Sequence, residues 1–426
     1  MVMPPRTAYT APTRPTEKYC RRRIAEMQSI REIYKIGRGP SSSHTMGPEK
    51  AAKVFLEKYK NAESYKVILY GSLAKTGKGH HTDLAINSVL GAERTEIVFD
   101  TETVGLPHEN TMDFFAYSGG EEIGYMRALS VGGGDISVDG LPSVTPPEVY
   151  PENSFEEIAA HCKKYNLRLS DYVYKYEGES IKDYLATVWQ TMKKAITDGL
   201  SERGILEGGL NVERKAAVLF GQHPKNETDA NRENRIVCAY AFAVGEQNAA
   251  GGTVVTAPTC GACSVLPAAL KYMQETHDYS DDEIINALAV GGIVGNVVKT
   301  NASISGAECG CQAEMGTACS MTAAALCELS KMKLSQIEYA AEVAMEHQLG
   351  LTCDPICGLV QIPCIERGAV SSMRAINALS LATFLASSSK ISFDNVVKTM
   401  YRTGKDMNAR YRETSEGGLA YTYKKD

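Results

Sequence analysis

Ser280 to Val298 reads SDDEIINALAVGGIVGNVV, and this stretch decides how most of the chain folds. Ser280-x-x-Glu283 has the form of a capping box, in which a hydroxyl and a carboxylate each satisfy an otherwise unpaired N–H of a first helical turn. The apolar run behind it, Ile284 to Val298, encloses Asn286 and Asn296 and falls short of the roughly 20 residues a bilayer span needs. It predicts a helix buried in protein.

Outward from this stretch, the chain reads as helical from about Glu157 to the end. Ser335-x-x-Glu338 forms a second expected capping box, and Ala323 to Leu326 favour close helix packing. Gly-, Cys- and Asn-rich turns lie between the helices, where a rigid scaffold would present reactive groups. Towards the N-terminus the pattern changes. Met46 to Lys60 has helical spacing, whereas Val67 to Tyr70, Ile97 to Phe99 and Phe114 to Tyr117 read as strands, and Gly132 to Gly134 mark a turn before Ile136 and Val138. The expected fold class is an α+β N-terminal domain followed by an all-α catalytic domain. The divisions are a flexible extension over 1–28, the α+β domain over 29–140, a Pro- and acid-rich linker over 141–156 and the helical domain over 157–426.

A net charge of -6 spread through mixed-sign segments offers no basic run to track a phosphate backbone, which argues against nucleic acid. Pro4, Pro5, Pro12 and Pro15 break up the first twenty residues, and no apolar stretch ahead of a small-residue cleavage site is visible there, so a frayed extension is favoured over a secretory or transit signal. Of the 12 cysteines, all but Cys20 and Cys162 lie at or beyond Cys238. In a reducing compartment such residues serve as buried hydrophobes, catalysts or metal ligands.

Three segments stand out: Ala307-Glu308-Cys309-Gly310-Cys311-Gln312, Leu351-Thr352-Cys353-Asp354-Pro355 and Ile362-Pro363-Cys364-Ile365-Glu366-Arg367. Each carries Gly or Pro within two residues of Cys, which gives a loop the curvature to wrap a compact cofactor. Spacing alone leaves an iron-sulfur cluster, buried small hydrophobes and zinc all open. Cys260-x-x-Cys263 has the spacing of half a zinc site but lacks a second pair.

Together these segments resemble the iron-sulfur-dependent L-serine dehydratases, or L-serine ammonia-lyases. The likeness is carried by KIGRGPSSSHTMGP at 35–48, GSLAKTGKGHHTD at 71–83, Ala257-Pro258-Thr259, Asn301 to Glu314 and Gly350 to Arg367. The resemblance implies a 4Fe-4S cluster held by Cys311, Cys353 and Cys364, with Cys309 and Cys357 as neighbours. It also implies a small domain similar to the substrate-sensing domain of some phosphoglycerate dehydrogenases. Two departures stand out. This chain ends in Lys424-Lys425-Asp426 where single-chain members of the family often end in a Cys that serves as a fourth ligand, and His81 stands where they commonly have Gly.

An open metal position would act on the serine hydroxyl while a base takes the α-proton, giving aminoacrylate and then pyruvate and ammonia. His44, His80 and Asp83 are the catalytic candidates. Ser41, Ser42, Ser43 and Thr45 would cradle the substrate carboxylate, with Thr45 also capping the helix from Met46. Thr259, Asn301, Ser303 and Ser305 are further pocket candidates, although the last three could equally satisfy helix ends. Arg367 and Arg374 could fork a carboxylate, but a solvated salt bridge is the commoner fate of a helical Arg, and both are left out. The expected partners are L-serine and a second copy of the chain as a homodimer, with no membrane, in the cytoplasm. Rival readings are another iron-sulfur amino-acid lyase such as a cysteine-desulfurating one, a pyridoxal-phosphate dehydratase, and a catalytically silent amino-acid sensor. No Lys in a Ser/Asn-rich motif supports the second, and the intact Cys segments argue against the third.

Overall fold

The computed structural model describes residues 27–139 and 146–423. Nine strands are described: β1 (Met27–Gln28), β2 (Ile36–Arg38), β3 (Ser64–Tyr70), β4 (Thr95–Asp100), β5 (Thr111–Ser118), β6 (Glu121–Gly132), β7 (Asp135–Val138), β8 (Glu148–Tyr150) and β9 (Thr253–Val255). Five of them form one sheet in the order β4-β3-β5-β6-β7. β3 and β4 run parallel, so the chain must cross over between them, and helices α2 (Gly71–Thr76) and α3 (Thr82–Leu90) make that crossover. Alternate residues of β3, Tyr65, Val67 and Leu69, face inward onto α1 (Gly47–Lys58), where Ala51, Ala52 and Phe55 close the core of the small domain. The Gly132 to Gly134 turn joins β6 to β7 as the sequence predicts.

The rest is helical: α4 (Phe155–Tyr165), α5 (Leu169–Glu177), α6 (Ser180–Ser201), α7 (Ala216–Gly221), α8 (Asp229–Ala249), α9 (Val265–His277), α10 (Asp281–Asn301), α11 (Gly306–Cys309), α12 (Thr317–Leu329), α13 (Leu334–Glu346), α14 (Cys364–Leu385), α15 (Phe393–Asp406) and α16 (Gly418–Thr422). The opening stretch folds as read. Ser280 and Glu283 close their capping box, and every residue from Ile284 to Val298 except Asn286 is buried. The second expected box is displaced. α13 starts two residues early, with Gln336 Oε1 accepting the Lys333 N–H at 3.0 Å, so Ser335 lies inside the first turn. By length and composition α14 with its extension to Ser388 could cross a membrane, yet it packs along α8, α9, α12 and α13.

The described chain starts on the helical domain, not on the small one. Ile30, Ile33 and Tyr34 are buried in the helical core, and Tyr34 Oη donates to Leu288 O at 2.8 Å. Gly292 permits that approach, because a Cβ there would lie 2.9 Å from the Tyr34 ring. β2 then pairs with β9 and β1 with β8, so the small domain leaves from and returns to the helical body. Regular structure reaches into the segments read as extension and linker: β1 falls in the first, and β8 and the start of α4 in the second. Residues 1–26 of the first and 141–145 of the second lie outside the described residues.

Candidate active site

On the small-domain side, a wide turn at Ser42–Met46 leads into α1. Its cap is Ser41, whose hydroxyl accepts the His44 N–H at 3.1 Å. Thr45, expected to cap, instead donates to His80 O at 2.7 Å, and Thr82 donates to His44 O at 2.6 Å. These crossed bonds bring the two motif segments together. The His44 and His80 ring centroids stand 4.5 Å apart, and both side chains are buried. His44 Nε2 is 2.9 Å from Ser72 Oγ and Nδ1 is 2.9 Å from Ser43 Oγ. Burial pulls the His44 imidazole down to about 4, and burial together with the charges of His44 and His81 lowers His80. Both are neutral at pH 7 and therefore able to accept a proton.

The helical domain supplies a carboxylate to this pair. Glu413 Oε1 lies 3.6 Å from His44 Nδ1. Glu413 is buried and holds φ +60°, a left-handed backbone that side chains other than Gly rarely adopt. Two backbone bonds hold it there: Glu413 N–H to Cys353 O at 2.9 Å and Cys353 N–H to Tyr411 O at 2.8 Å. Strain of this kind persists where the surroundings over-determine it, and it concentrates at functional sites. Burial and the nearby charge of Glu314 raise the Glu413 carboxyl to about 8.

Cys311, Cys353 and Cys364 converge beside Glu413. The thiols of Cys353 and Cys364 are pushed up by burial and by the charges of Cys311, Glu314 and Glu413, which puts these groups in one electrostatic neighbourhood. Burial and Glu314 likewise raise Cys311 to about 12, offset by a hydrogen bond from Arg367. Arg367 also donates to Thr352 O at 2.6 Å and to Asp354 Oδ1 at 2.9 Å, and so ties two of the Cys segments together. Gly306 completes the nest. A Cβ there would stand 2.6 Å from Glu314 Oε2 and 3.1 Å from Cys353 Sγ. Three thiols on separate segments, two of them buried and Cys364 half-buried, a guanidinium against one sulfur and a glycine wall that admits no side chain fit a compact thiolate-bound metal cluster.

Other candidates fall unevenly. Thr259 joins the site, donating to Glu314 Oε1 at 2.6 Å. Ser305 precedes α11 and faces a neighbouring cavity, while Ser303 is buried and accepts the Ser305 N–H at 3.1 Å. Asn301 is turned outward and bonds Val297 O at 2.9 Å, closing α10, not lining a pocket. Asp83 does not orient His80. Its carboxylate accepts the Leu84 N–H at 3.0 Å in the first turn of α3, while His80 Nδ1 meets Thr76 Oγ1 at 3.1 Å. Cys260 and Cys263 are buried, with Cys260 Sγ 3.4 Å from Met46 Sδ. Glu413, Glu314, Ser72 and Arg367 complete the site. Arg367 lies one helical turn after Cys364 and Glu314 three residues after Cys311, so spacing hinted at both; nothing local marked Glu413.

His81, the residue that departs from the resembled pattern, holds φ +55° immediately before α3. A backbone that favours Gly fits the Gly that the resemblance implies there and makes His a strained choice. His81→Gly is expected to raise the unfolding midpoint, a gain of about 0.5–1 kcal/mol. Turnover should stay within roughly twofold, since His81 touches neither Glu413 nor the thiols. A fall in the midpoint would show that the imidazole makes a contact worth more than the strain.

A buried imidazole and carboxylate meet here across two domains next to converging thiols, which places groups able to exchange a proton beside groups able to hold a compact metal group. The profile of the serine dehydratase alpha chain family matches residues 54–420. L-serine dehydratase 2 of Escherichia coli (strain K12) is 41% identical, covering 92% of this chain and 98% of that protein. L-serine dehydratases of Haemophilus influenzae, 40% identical, and Streptomyces coelicolor, 38% identical, each cover 92% of this chain and 99% and 98% of themselves. The chain belongs to the serine dehydratase alpha chain family.

Proposed function

We propose that the protein is an L-serine ammonia-lyase whose Cys311, Cys353 and Cys364 hold a 4Fe-4S cluster. The observation that carries this reading is the meeting of the His44–Glu413 pair with the three-thiol nest across the domain boundary. When bound, a cluster with three protein ligands supplies Lewis acidity that eases departure of the substrate hydroxyl.

The chain's own residues account for the protons. His44, neutral at pH 7, takes the α-proton. Glu413, raised towards its protonated form, gives a proton to the departing hydroxide, which leaves as water. Proton transfer from the His44 imidazolium to the Glu413 carboxylate, 3.6 Å away, restores both groups. Ser43 holds Nδ1, and Ser72 Oγ, which bonds Nε2 and lines the adjoining cavity, relays the α-proton by passing its own hydroxyl proton to Nε2 as it takes up the substrate's. The aminoacrylate product tautomerises to an imine and hydrolyses to pyruvate and ammonia.

Anaerobic reconstitution with iron and sulfide, followed by assays for keto acid and ammonia with L-serine, D-serine, L-threonine and L-cysteine, tests the reading. A brown protein that releases both products from L-serine and fades in air is expected. A colourless protein with full activity under oxygen would overturn it. With His44 held down to about 4, kcat/KM should stay level as pH falls from 7 to 5 and drop only as the imidazole takes up a proton below that. A drop centred near 6.5 would assign the base to an exposed histidine instead.

A further inference from the structure

Beside the site, between the two domains, lies a cavity of about 350 Å³ lined among others by Ser72, Lys75, His108, Ser305, Glu308 and Arg412. It adjoins the chemistry directly, because Ser72 holds His44 Nε2 and Arg412 precedes Glu413. A small amino acid with several waters fits this volume, at about 30 Å³ per water.

The cationic groups of the cavity differ in what they already hold. Lys75 is paired with Glu416 at 2.5 Å. His108 Nδ1 accepts the Asn110 N–H at 3.0 Å, and burial lowers its imidazole towards the neutral form. The Glu308 carboxylate is taken by Lys405 at 2.5 Å. Arg412 spends Nη1 on a neutral carbonyl, Glu308 O at 3.1 Å, and forms no ion pair among the described residues. Its Nε is buried without a hydrogen-bond partner among those residues. An unsatisfied buried donor costs about 1–3 kcal/mol, and a guanidinium presents its donors as a fork that matches a carboxylate.

Three of the four hydroxyls first expected to cradle the carboxylate are already engaged, and Ser42 is buried with no side-chain hydrogen bond among the described residues. Ser41 caps the turn, Ser43 bonds His44 and Thr45 bonds His80. We propose that Arg412 is the specificity-determining residue that takes the substrate carboxylate in this cavity, which rests on the reading of the protein as an L-serine ammonia-lyase. A carboxylate held there sits one bond from the carbon that loses its proton, and the residue after Arg412 is half of the proton-transfer pair. Arg412 thereby selects for the free acid and sets the depth to which the amino acid enters.

The test compares cluster-loaded wild type, Arg412→Gln and Arg412→Lys anaerobically with L-serine and with L-serinamide, which lacks the negative charge. Arg412→Gln should raise KM for L-serine on the order of 100-fold with a smaller change in kcat, and bring the preference for acid over amide close to unity. Arg412→Lys should fall between. An Arg412→Gln enzyme with the wild-type preference overturns the assignment while leaving the lyase reading intact; a wild type that does not turn over L-serine fails that reading itself. Loss of cluster absorbance in both variants would make Arg412 a structural residue and likewise overturn the proposal.

Discussion

Cys353→Ala is expected to give a folded, colourless protein whose turnover of L-serine falls by at least roughly a thousandfold, as loss of a metal's several kcal/mol of transition-state stabilisation implies. Cys353 is the thiol on which the site leans most heavily. Its backbone is bonded on one side to Tyr411 O and on the other to the Glu413 N–H, and its sulfur faces Glu314. Alanine keeps both backbone bonds, so the tail segment and the His44–Glu413 contact should survive, and far-ultraviolet circular dichroism should be unchanged. On the proposed reading, what disappears is one of the three sulfur donors that would hold the cluster. Iron and sulfide content, read together with visible absorbance, checks this. A variant that keeps its cluster removes Cys353 from the ligand set.

The second large effect falls on the proton instead of the metal. His44→Gln should lower kcat/KM for L-serine by about 10²–10⁴-fold while leaving cluster absorbance at the wild-type level. Glutamine can still bond Ser72 and Ser43 but cannot take a proton at neutral pH. His80→Gln should cost less, because Glu413, which resets the base, pairs with His44 Nδ1 at 3.6 Å and forms no such pair with His80 among the described residues. Equal losses at the two positions would mean that the histidines act as one relay; a larger loss at His80 would reassign the base.

Much of this architecture is legible in the residues themselves, and the gaps have physical causes. The buried helix from Ser280, the β6–β7 turn and the change from mixed to helical structure follow from period and capping, which are local properties. Caps were less secure where two polar residues compete. Thr45 and Ser335 both looked like N-caps, yet Ser41 and Lys333 hold those positions: a tertiary partner engages Thr45, and the earlier start sets Leu334 against the helical core. Asp83 read as an orienting carboxylate for His80 because it stands only three residues further on. The helix starts between them, and His81 in its left-handed conformation turns the chain there. Glu413 was invisible for a different reason. It reaches His44 from the far end of the sequence, and no local pattern encodes a contact across 369 residues, the separation of 413 and 44. Ser72 and Glu314 belong with it, residues whose meaning lies in what the fold sets opposite them.

The backbone bonds that join Cys353 to Tyr411 and Glu413 are followed by two more, Ser415 Oγ to Pro355 O at 2.8 Å and Leu419 N–H to Asp354 Oδ2 at 2.9 Å. The last stretch of the described chain is therefore laced to the loop that presents one of the three thiols. Two events at such a junction share one free energy: whatever fixes the Cys353 loop strengthens docking of the tail, and whatever docks the tail strengthens the hold on a group at Cys353, by the same factor. On the proposed reading, cofactor occupancy and docking of residues 411–419 are then coupled, so an apoprotein would hold the segment that carries Arg412 and Glu413 more weakly without losing it.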